Sequence, residues 1–304
     1  MRIRFKDVFG ILKTTSKGWW LKDPFRESAV IAFYSIFSLP GLLVVTVTFA
    51  GYFFGSDVVN KHVADQITAT LGAETANQIQ NMIVQASEMK KSVWATIIGL
   101  GSIIIGATGV FAQFQQSLNN IWEVKVDESK SGIWAVIRVR LFSFGLIVSI
   151  AFLLMVSLII SALLSAFGIW ISEHFSDSFL IVLQVVNFIF SFIIISTLFA
   201  LMFKFFPDAK IKWQHVWIGS LVTAFLFEIG KFSLGLYFGK ANPGIGYGAA
   251  GSVILILIWV SYSSMLVLYG AEFTHAYAIM NSGKVTPSEI ARTDVLPHID
   301  NSNV

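Results

Sequence analysis

The sequence predicts an all-α, polytopic membrane protein. We expect a bundle of about six transmembrane helices with an N-terminal interfacial helix and an outer amphipathic helical hairpin. Of the 304 residues, 55% are hydrophobic and only 13% are charged, which is about half the charged share of a soluble domain. A soluble protein of this size would leave too much apolar surface in water, whereas a bilayer acts as an apolar solvent for it.

Six apolar stretches are long enough to cross a bilayer as helices. A helix needs about 20 predominantly apolar residues to span the hydrocarbon core. The stretches lie at about residues 29–54, 93–118, 139–169, 179–205, 214–239 and 251–279. They define a transmembrane domain of residues 29–280.

The distribution of Lys and Arg predicts the orientation of the spans. Seven precede the first span, four follow the second, three follow the fourth and two lie in the tail, which places sixteen on one side. The opposite side has only four, and Lys231 lies inside a span. Because basic residues concentrate on the cytoplasmic side, we expect both termini in the cytoplasm of a bacterial inner-membrane protein.

Three segments outside the spans have patterns of their own. Residues 1–28 alternate apolar and basic positions, which is typical of an amphipathic helix on an anionic lipid surface. Residues 55–92 contain two short amphipathic patterns separated by Gly72, which predicts an outer hairpin that either packs over the bundle or rests on the headgroups. Residues 281–304 read as a polar cytoplasmic tail.

The fifth span contains the clearest functional candidate. Glu228 and Lys231 are three residues apart, so they share a helix face. Inserting either charge alone into the membrane at the centre of a spanning helix costs about 2.5–3.5 kcal/mol of free energy. Two readings stay open: a polar path for a substrate or ion, or a structural ion pair that fixes helix packing.

Other polar residues extend this candidate path. Glu272 lies near the inner end of the sixth span, and Asn119 and Asn120 lie at the inner end of the second. A carboxylate at headgroup level costs little, and amides often bond neighbouring helices, so each also has a purely structural reading. Small residues four apart, Gly235 and Gly239 among them, indicate close helix contacts.

The sequence does not indicate an enzyme. The five histidines are far apart, and no cysteine is present to act as a nucleophile or thiolate ligand. We found no metal-binding HExxH spacing, P-loop or nucleophile elbow. We therefore expect no catalytic residues, no metal and no cofactor, and no nucleic-acid partner, since the basic residues fit membrane topology better.

Several segments resemble the YihY/BrkB family of bacterial inner-membrane proteins over about residues 10–280. The matching segments are AVIAFYSIFSLP at 29–40, LNNIW at 118–122, FP at 206–207, YGAAGS at 247–252, and 259–272 ending in GAE.

The resemblance implies a six-helix protein of the cytoplasmic membrane. Family members have been linked to serum resistance and to export of lipid A precursors, and many carry a ribonuclease BN label that this sequence does not support. Our leading hypothesis is a transporter or flippase for an amphiphilic or anionic envelope molecule, with membrane lipids as partners. The alternative is a non-transporting scaffold for envelope assembly.

Overall fold

The computed structural model of the chain describes residues 5–54, 68, 108–127, 177–241, 243–283, 285–288 and 291–293. This part of the chain is mostly helical. Its helices are α1 Phe5–Leu21, α2 Pro24–Phe54, α3 at residues 108–121, α4 Asp177–Phe205, α5 Trp213–Ala241 and α6 Gly251–Ser282. A 3₁₀ helix, Ile245–Ala250, precedes α6.

The start of α2 follows from local sequence. Asp23 adopts a left-handed conformation with φ of 49°, which Asp tolerates better than most residues. Pro24 then occupies the first helical position, where its missing N–H costs nothing. The carbonyl of Asp23 accepts the first intrahelical bond, from Glu27 N at 3.1 Å. The chain therefore leaves α1 and enters α2 through a two-residue turn.

Three described helices are long and apolar enough to cross a membrane: Phe188–Phe205, Trp213–Ala241 and Val253–Ser282. They coincide with the predicted fourth, fifth and sixth spans. Helix α2 covers the predicted first span, and α3 covers the last part of the second. The third span (139–169), most of the second and nearly all of the outer segment 55–92 lie outside the described residues. The count of six spans stays a prediction.

Two short antiparallel strand pairs hold the segment after α6. Strand β1 (Val124–Val126) pairs with β4 (Ala291–Thr293), and β2 (Ala209–Lys210) pairs with β3 (Thr286–Pro287). The sequence analysis did not predict these strands, because two or three residues are too few to show a periodicity. Part of the predicted polar tail is therefore built into the fold.

The chain divides into two compact units, which are described separately. The first comprises Met1–Gly18, Leu118–Phe225 and Tyr269–Val304, and the second comprises Trp19–Ser117 and Leu226–Leu268. In the first unit, Ile11 of α1 packs with Phe273 and Tyr277 of α6 in a buried cluster that Ile218 and Val222 of α5 flank. This cluster buries one face of α1 against two of the candidate spans.

Helices α5 and α6 approach each other through two reciprocal glycine–threonine contacts in the first unit. The Cα of Gly219 on α5 faces Thr274 on α6, and the Cα of Gly270 on α6 faces Thr223 on α5. Each threonine hydroxyl donates to the carbonyl four residues earlier, at 2.7 Å in both cases. All four residues are buried. The absence of a Cβ at both glycines permits this close approach.

Candidate functional site

Glu228 and Lys231 form an ion pair near the middle of α5. The Lys231 Nζ atom lies 2.8 Å from Oε2 and 3.0 Å from Oε1 of Glu228. Lys231 is ten residues from the end of the helix at Ala241, or about 15 Å by helical rise. Both charges therefore lie well inside the candidate span Trp213–Ala241, and their depth in the bilayer stays a prediction.

The position of Lys231 on α5 distinguishes it from lipid-facing residues. It shares its side of the helix with Ala224, Leu234 and Phe238, and all three are buried. Yet the Lys231 side chain is 44% exposed, against 18% for Glu228. Gly235, one turn further along this side, also has no atom of the described residues within 4 Å of an added Cβ, so the space beside the lysine is open although those three neighbours are buried.

The opposite side of α5 has the character of a lipid-facing surface. Phe225, Ile229, Phe232 and Leu236 recur at spacings of three and four, and all four are exposed and apolar. A helix that presents apolar side chains outward suits a bilayer rather than water. Lys231 lies away from this stripe, whereas Glu228 is three residues from Phe225 and four from Phe232 and therefore lies at its edge.

Asn119 is bonded to Asp208 within the first unit. The Asn119 Nδ2 atom donates to Asp208 Oδ2 at 2.8 Å, and the Asp208 backbone N–H donates to Asn119 Oδ1 at 2.8 Å. Ser288 N in turn donates to the Asp208 carbonyl at 2.9 Å. Asn119 and Asp208 are both buried. This geometry favours the structural reading of Asn119, in which the amide holds the end of α3 against the segment after α4.

Asn120, the next residue, is half-buried and helps to form the turn at the end of α3. Its carbonyl accepts a hydrogen bond from Glu123 N at 3.3 Å. Glu123 has a positive φ of 54°, so the chain reverses there before entering β1. Among the described residues, no hydrogen bond or ion pair joins the Asn120 side chain to the other candidates, and its place on a path stays a prediction.

Glu272 is buried rather than exposed at headgroup level. Only 4% of it is exposed, and its Oε1 atom lies 3.8 Å from His275 Nδ1. The Cα of Gly18 on α1 packs against the same carboxylate. Helix α1 covers the residue, so the carboxylate carries a cost of burial that the sequence analysis did not anticipate, and its position at headgroup level stays a prediction. Burial of this carboxylate requires polar neighbours.

Trp122 packs against His275 of α6. Its ring lies edge-on to that of His275, with centroids 5.2 Å apart, and it is fully buried. Its indole N–H finds no hydrogen-bond acceptor among the described residues. Trp122 therefore links the end of α3 to the Glu272–His275 turn of α6.

Sequence reasoning missed a partly buried carboxylate, Glu27 of α2. In the second unit it accepts hydrogen bonds from Gln113 Nε2 at 2.7 Å and from Ser117 Oγ at 2.6 Å. These partners are 86 and 90 residues away in sequence. The only local signal was an acidic residue in the first turn of a helix, which is common at any helix N-terminus.

The five candidate path residues fall into two groups. Glu228 and Lys231 belong to the second unit and contact each other, whereas Asn119, Asn120 and Glu272 belong to the first. Within the described residues, no group of three His, Cys, Asp or Glu is placed to hold a metal ion. The arrangement offers an accessible charge pair and several satisfied buried polar groups.

The family model described as Virulence factor BrkB matches residues 15–292. The chain belongs to the BrkB family. This confirms the resemblance identified from the motifs and establishes that the chain is an integral membrane protein of that family.

Curated relatives of this BrkB-family chain are named UPF0761 membrane proteins. It is 25% identical to the one of Saccharophagus degradans over 83% of this chain and 56% of that protein. It is 25% identical to that of Teredinibacter turnerae, over 90% of this chain and 64% of the relative, and 29% identical to that of Idiomarina loihiensis, over 67% of each. The chain thus spans about three fifths of the length of the first two. None of the solved structures matches it.

Proposed function

We propose that this BrkB-family protein is a transporter or flippase of the bacterial cytoplasmic membrane that moves an amphiphilic or anionic envelope molecule. The observation that carries the proposal is the half-exposed Lys231, paired with Glu228, on a side of α5 that also carries the buried residues Ala224, Leu234 and Phe238. A lysine in that position offers a positive charge to an anion entering the bundle. Both termini lie in the cytoplasm, and the protein catalyses no covalent reaction.

The ion pair suits a transport path for an energetic reason. An unpaired charge near the bilayer centre costs about 2.5–3.5 kcal/mol, so Glu228 neutralises Lys231 while the path is empty. An anionic headgroup would compete with Glu228 for the same ammonium. Exchange of one anionic partner for another keeps the lysine paired throughout, which lowers the barrier to passage.

A membrane scaffold is the second candidate. The buried pair Asn119–Asp208 and the partly buried pair Glu27–Ser117 are direct contacts between distant segments, as expected of a bundle fixed by polar packing. A scaffold predicts no lipid movement but stable protein partners. In that case the Glu228–Lys231 pair would serve only to hold α5 in register.

Lipid exchange in liposomes tests the proposal. The full chain is reconstituted with a fluorescent phosphatidylglycerol, and the fraction quenched by an impermeant reductant reports movement between leaflets. We expect the wild-type chain to accelerate quenching and the Glu228→Leu/Lys231→Leu variant to lose that acceleration. Phe232→Leu, on the apolar side of the same helix, is the matched control and should retain it.

The outcomes are distinct. Undiminished movement in the double Leu variant would refute the assignment of the path. A wild-type chain that is inserted and folded yet moves neither anionic nor zwitterionic lipid would favour the scaffold.

A further inference from the structure

An open basic cleft lies in the first unit between the end of α4 and the start of α5. Its volume is about 720 Å³, and its polar lining consists of Lys204, Lys210, Lys212, Trp213 and Gln214. Three of these residues are cationic, and none of the described residues that line the cleft is a carboxylate. The charge of the cleft complements an anion.

One wall of the cleft is held in place by contacts of Lys204. Its ammonium lies 5.6 Å from the centre of the Trp213 ring and donates to the carbonyl of Ile211. The Trp213 ring also packs edge-on against Phe205, with centroids 5.9 Å apart. A cation–π contact and an aromatic pair therefore fix the lysine and the indole relative to each other.

The cleft lies where the chain leaves and re-enters the membrane. Lys204 is the last residue but one of the candidate span Phe188–Phe205, and Trp213 is the first residue of the next, Trp213–Ala241. The ends of spans lie at the level of lipid headgroups, where Trp is enriched. A cationic cleft at this level faces lipid phosphates rather than hydrocarbon.

An apolar track runs along α5 from the cleft. Trp213, Trp217, Leu221 and Phe225 follow one another at intervals of four residues, and all four side chains are exposed. Twelve residues of helix rise about 18 Å, which is close to the depth of one leaflet of a hydrocarbon core about 30 Å thick. The cleft and the track together have the polarity and length of one lipid molecule.

We propose that this cleft binds the phosphate headgroup of an anionic membrane lipid, with one acyl chain lying along the apolar track. The track favours a lipid over a free phosphate, because a free anion would use only the cleft. The site is separate from the Glu228–Lys231 pair and does not require transport. A test of lipid binding in the cleft is therefore independent of a test of the proposed transport function.

Native mass spectrometry of the detergent-solubilised full chain tests the proposal. The probes are phosphatidylglycerol, zwitterionic phosphatidylcholine and glycerol 3-phosphate. We expect phosphatidylglycerol to bind at least tenfold more tightly than either comparison. Equal binding of phosphatidylcholine would refute the role of the lysines, and equal binding of glycerol 3-phosphate would refute the role of the track.

Two variants locate the site. Each lysine near an anionic lipid surface contributes about fivefold to association, so Lys210→Gln/Lys212→Gln should weaken phosphatidylglycerol binding roughly 25-fold. Lys125→Gln/Arg292→Gln removes the same charge from exposed positions of the paired strands β1 and β4 and should change it less than twofold. Equal losses in the two variants would overturn the proposal, since binding would then follow net charge alone.

A further substitution tests the site even where the lysine variant folds poorly. Gln214→Glu places a carboxylate in the cleft, at an exposed position in the first turn of α5, where an acidic residue stabilises a helix. We expect phosphatidylglycerol binding to fall about tenfold or more while phosphatidylcholine binding is unchanged. Full retention of phosphatidylglycerol by this variant would contradict the proposal.

Discussion

Gly219→Ala should destabilise the protein because the added methyl group overlaps with the Thr274 side chain. The new Cβ would collide with the Thr274 hydroxyl and lie 2.6 Å from Thr274 Cβ and 2.8 Å from its Cγ2. The far end of a flexible side chain could turn away, but Thr274 is buried and β-branched, so its χ1 angle is restricted. Overpacking of this kind costs about 1–3 kcal/mol, although Ala gains nearly 1 kcal/mol of helix propensity over Gly.

The geometry predicts which second substitution rescues the first. Thr274→Ala keeps the Cβ atom, so an overlap at 2.6 Å remains. Thr274→Gly removes all three atoms that the new methyl group would meet. We therefore expect Gly219→Ala/Thr274→Gly to recover most of the lost stability, and Gly219→Ala/Thr274→Ala to recover little.

Thermal unfolding in detergent, followed by tryptophan fluorescence, measures the effect. A loss of about 1–3 kcal/mol corresponds to a fall of roughly 1.5–5 °C in the unfolding midpoint for a chain of this size, at an unfolding entropy of about 2.1 cal/mol/K per residue. Gly235→Ala on the same helix is the control, because no atom of the described residues lies within 4 Å of its added Cβ. Equal rescue by Thr274→Ala and Thr274→Gly, or equal loss in the Gly235 control, would refute the argument.

Three further predictions concern packing, accessibility and topology. Asn119→Ala should lower stability by about 1.5–3 kcal/mol in the same thermal assay, because it removes both hydrogen bonds to the buried Asp208; a change within 0.5 kcal/mol would contradict this. The chain has no cysteine, so Lys231→Cys should react with a small water-soluble methanethiosulfonate whereas lipid-facing Phe232→Cys should not, and an unreactive Lys231→Cys would argue against an opening. A cysteine at Asn281 should be labelled by an impermeant maleimide only in opened cells, and labelling in intact cells would reverse the topology.

Long helices were predictable because hydropathy extends over many residues. The predicted spans 179–205, 214–239 and 251–279 differ by at most three residues at either end from α4, α5 and α6. The spacing of three between Glu228 and Lys231 was enough to predict their contact. These features depend on local periodicity, which a single sequence contains.

The remaining features depend on contacts between distant parts of the chain. The Asn119–Asp208 bond joins residues 89 positions apart, and the burial of Glu272 depends on Gly18 of α1. No atom of the described residues lies within 4 Å of a Cβ added at Gly235 or Gly239, so the packing role predicted for these two glycines stays a prediction. Spacing identifies small residues, but only the partner helix decides which of them are in contact.

Exchanging the two charges of the Glu228–Lys231 pair is the most direct test of the proposed transport path. The swapped variant, Glu228→Lys/Lys231→Glu, keeps one charge of each sign at the same spacing, so a purely structural pair would survive the exchange. It also moves the positive charge away from the half-exposed position at residue 231. Fluorescent phosphatidylglycerol movement in liposomes should therefore fall to the protein-free rate although the variant unfolds at a midpoint close to that of the wild type. Wild-type movement in the swapped variant would contradict the account.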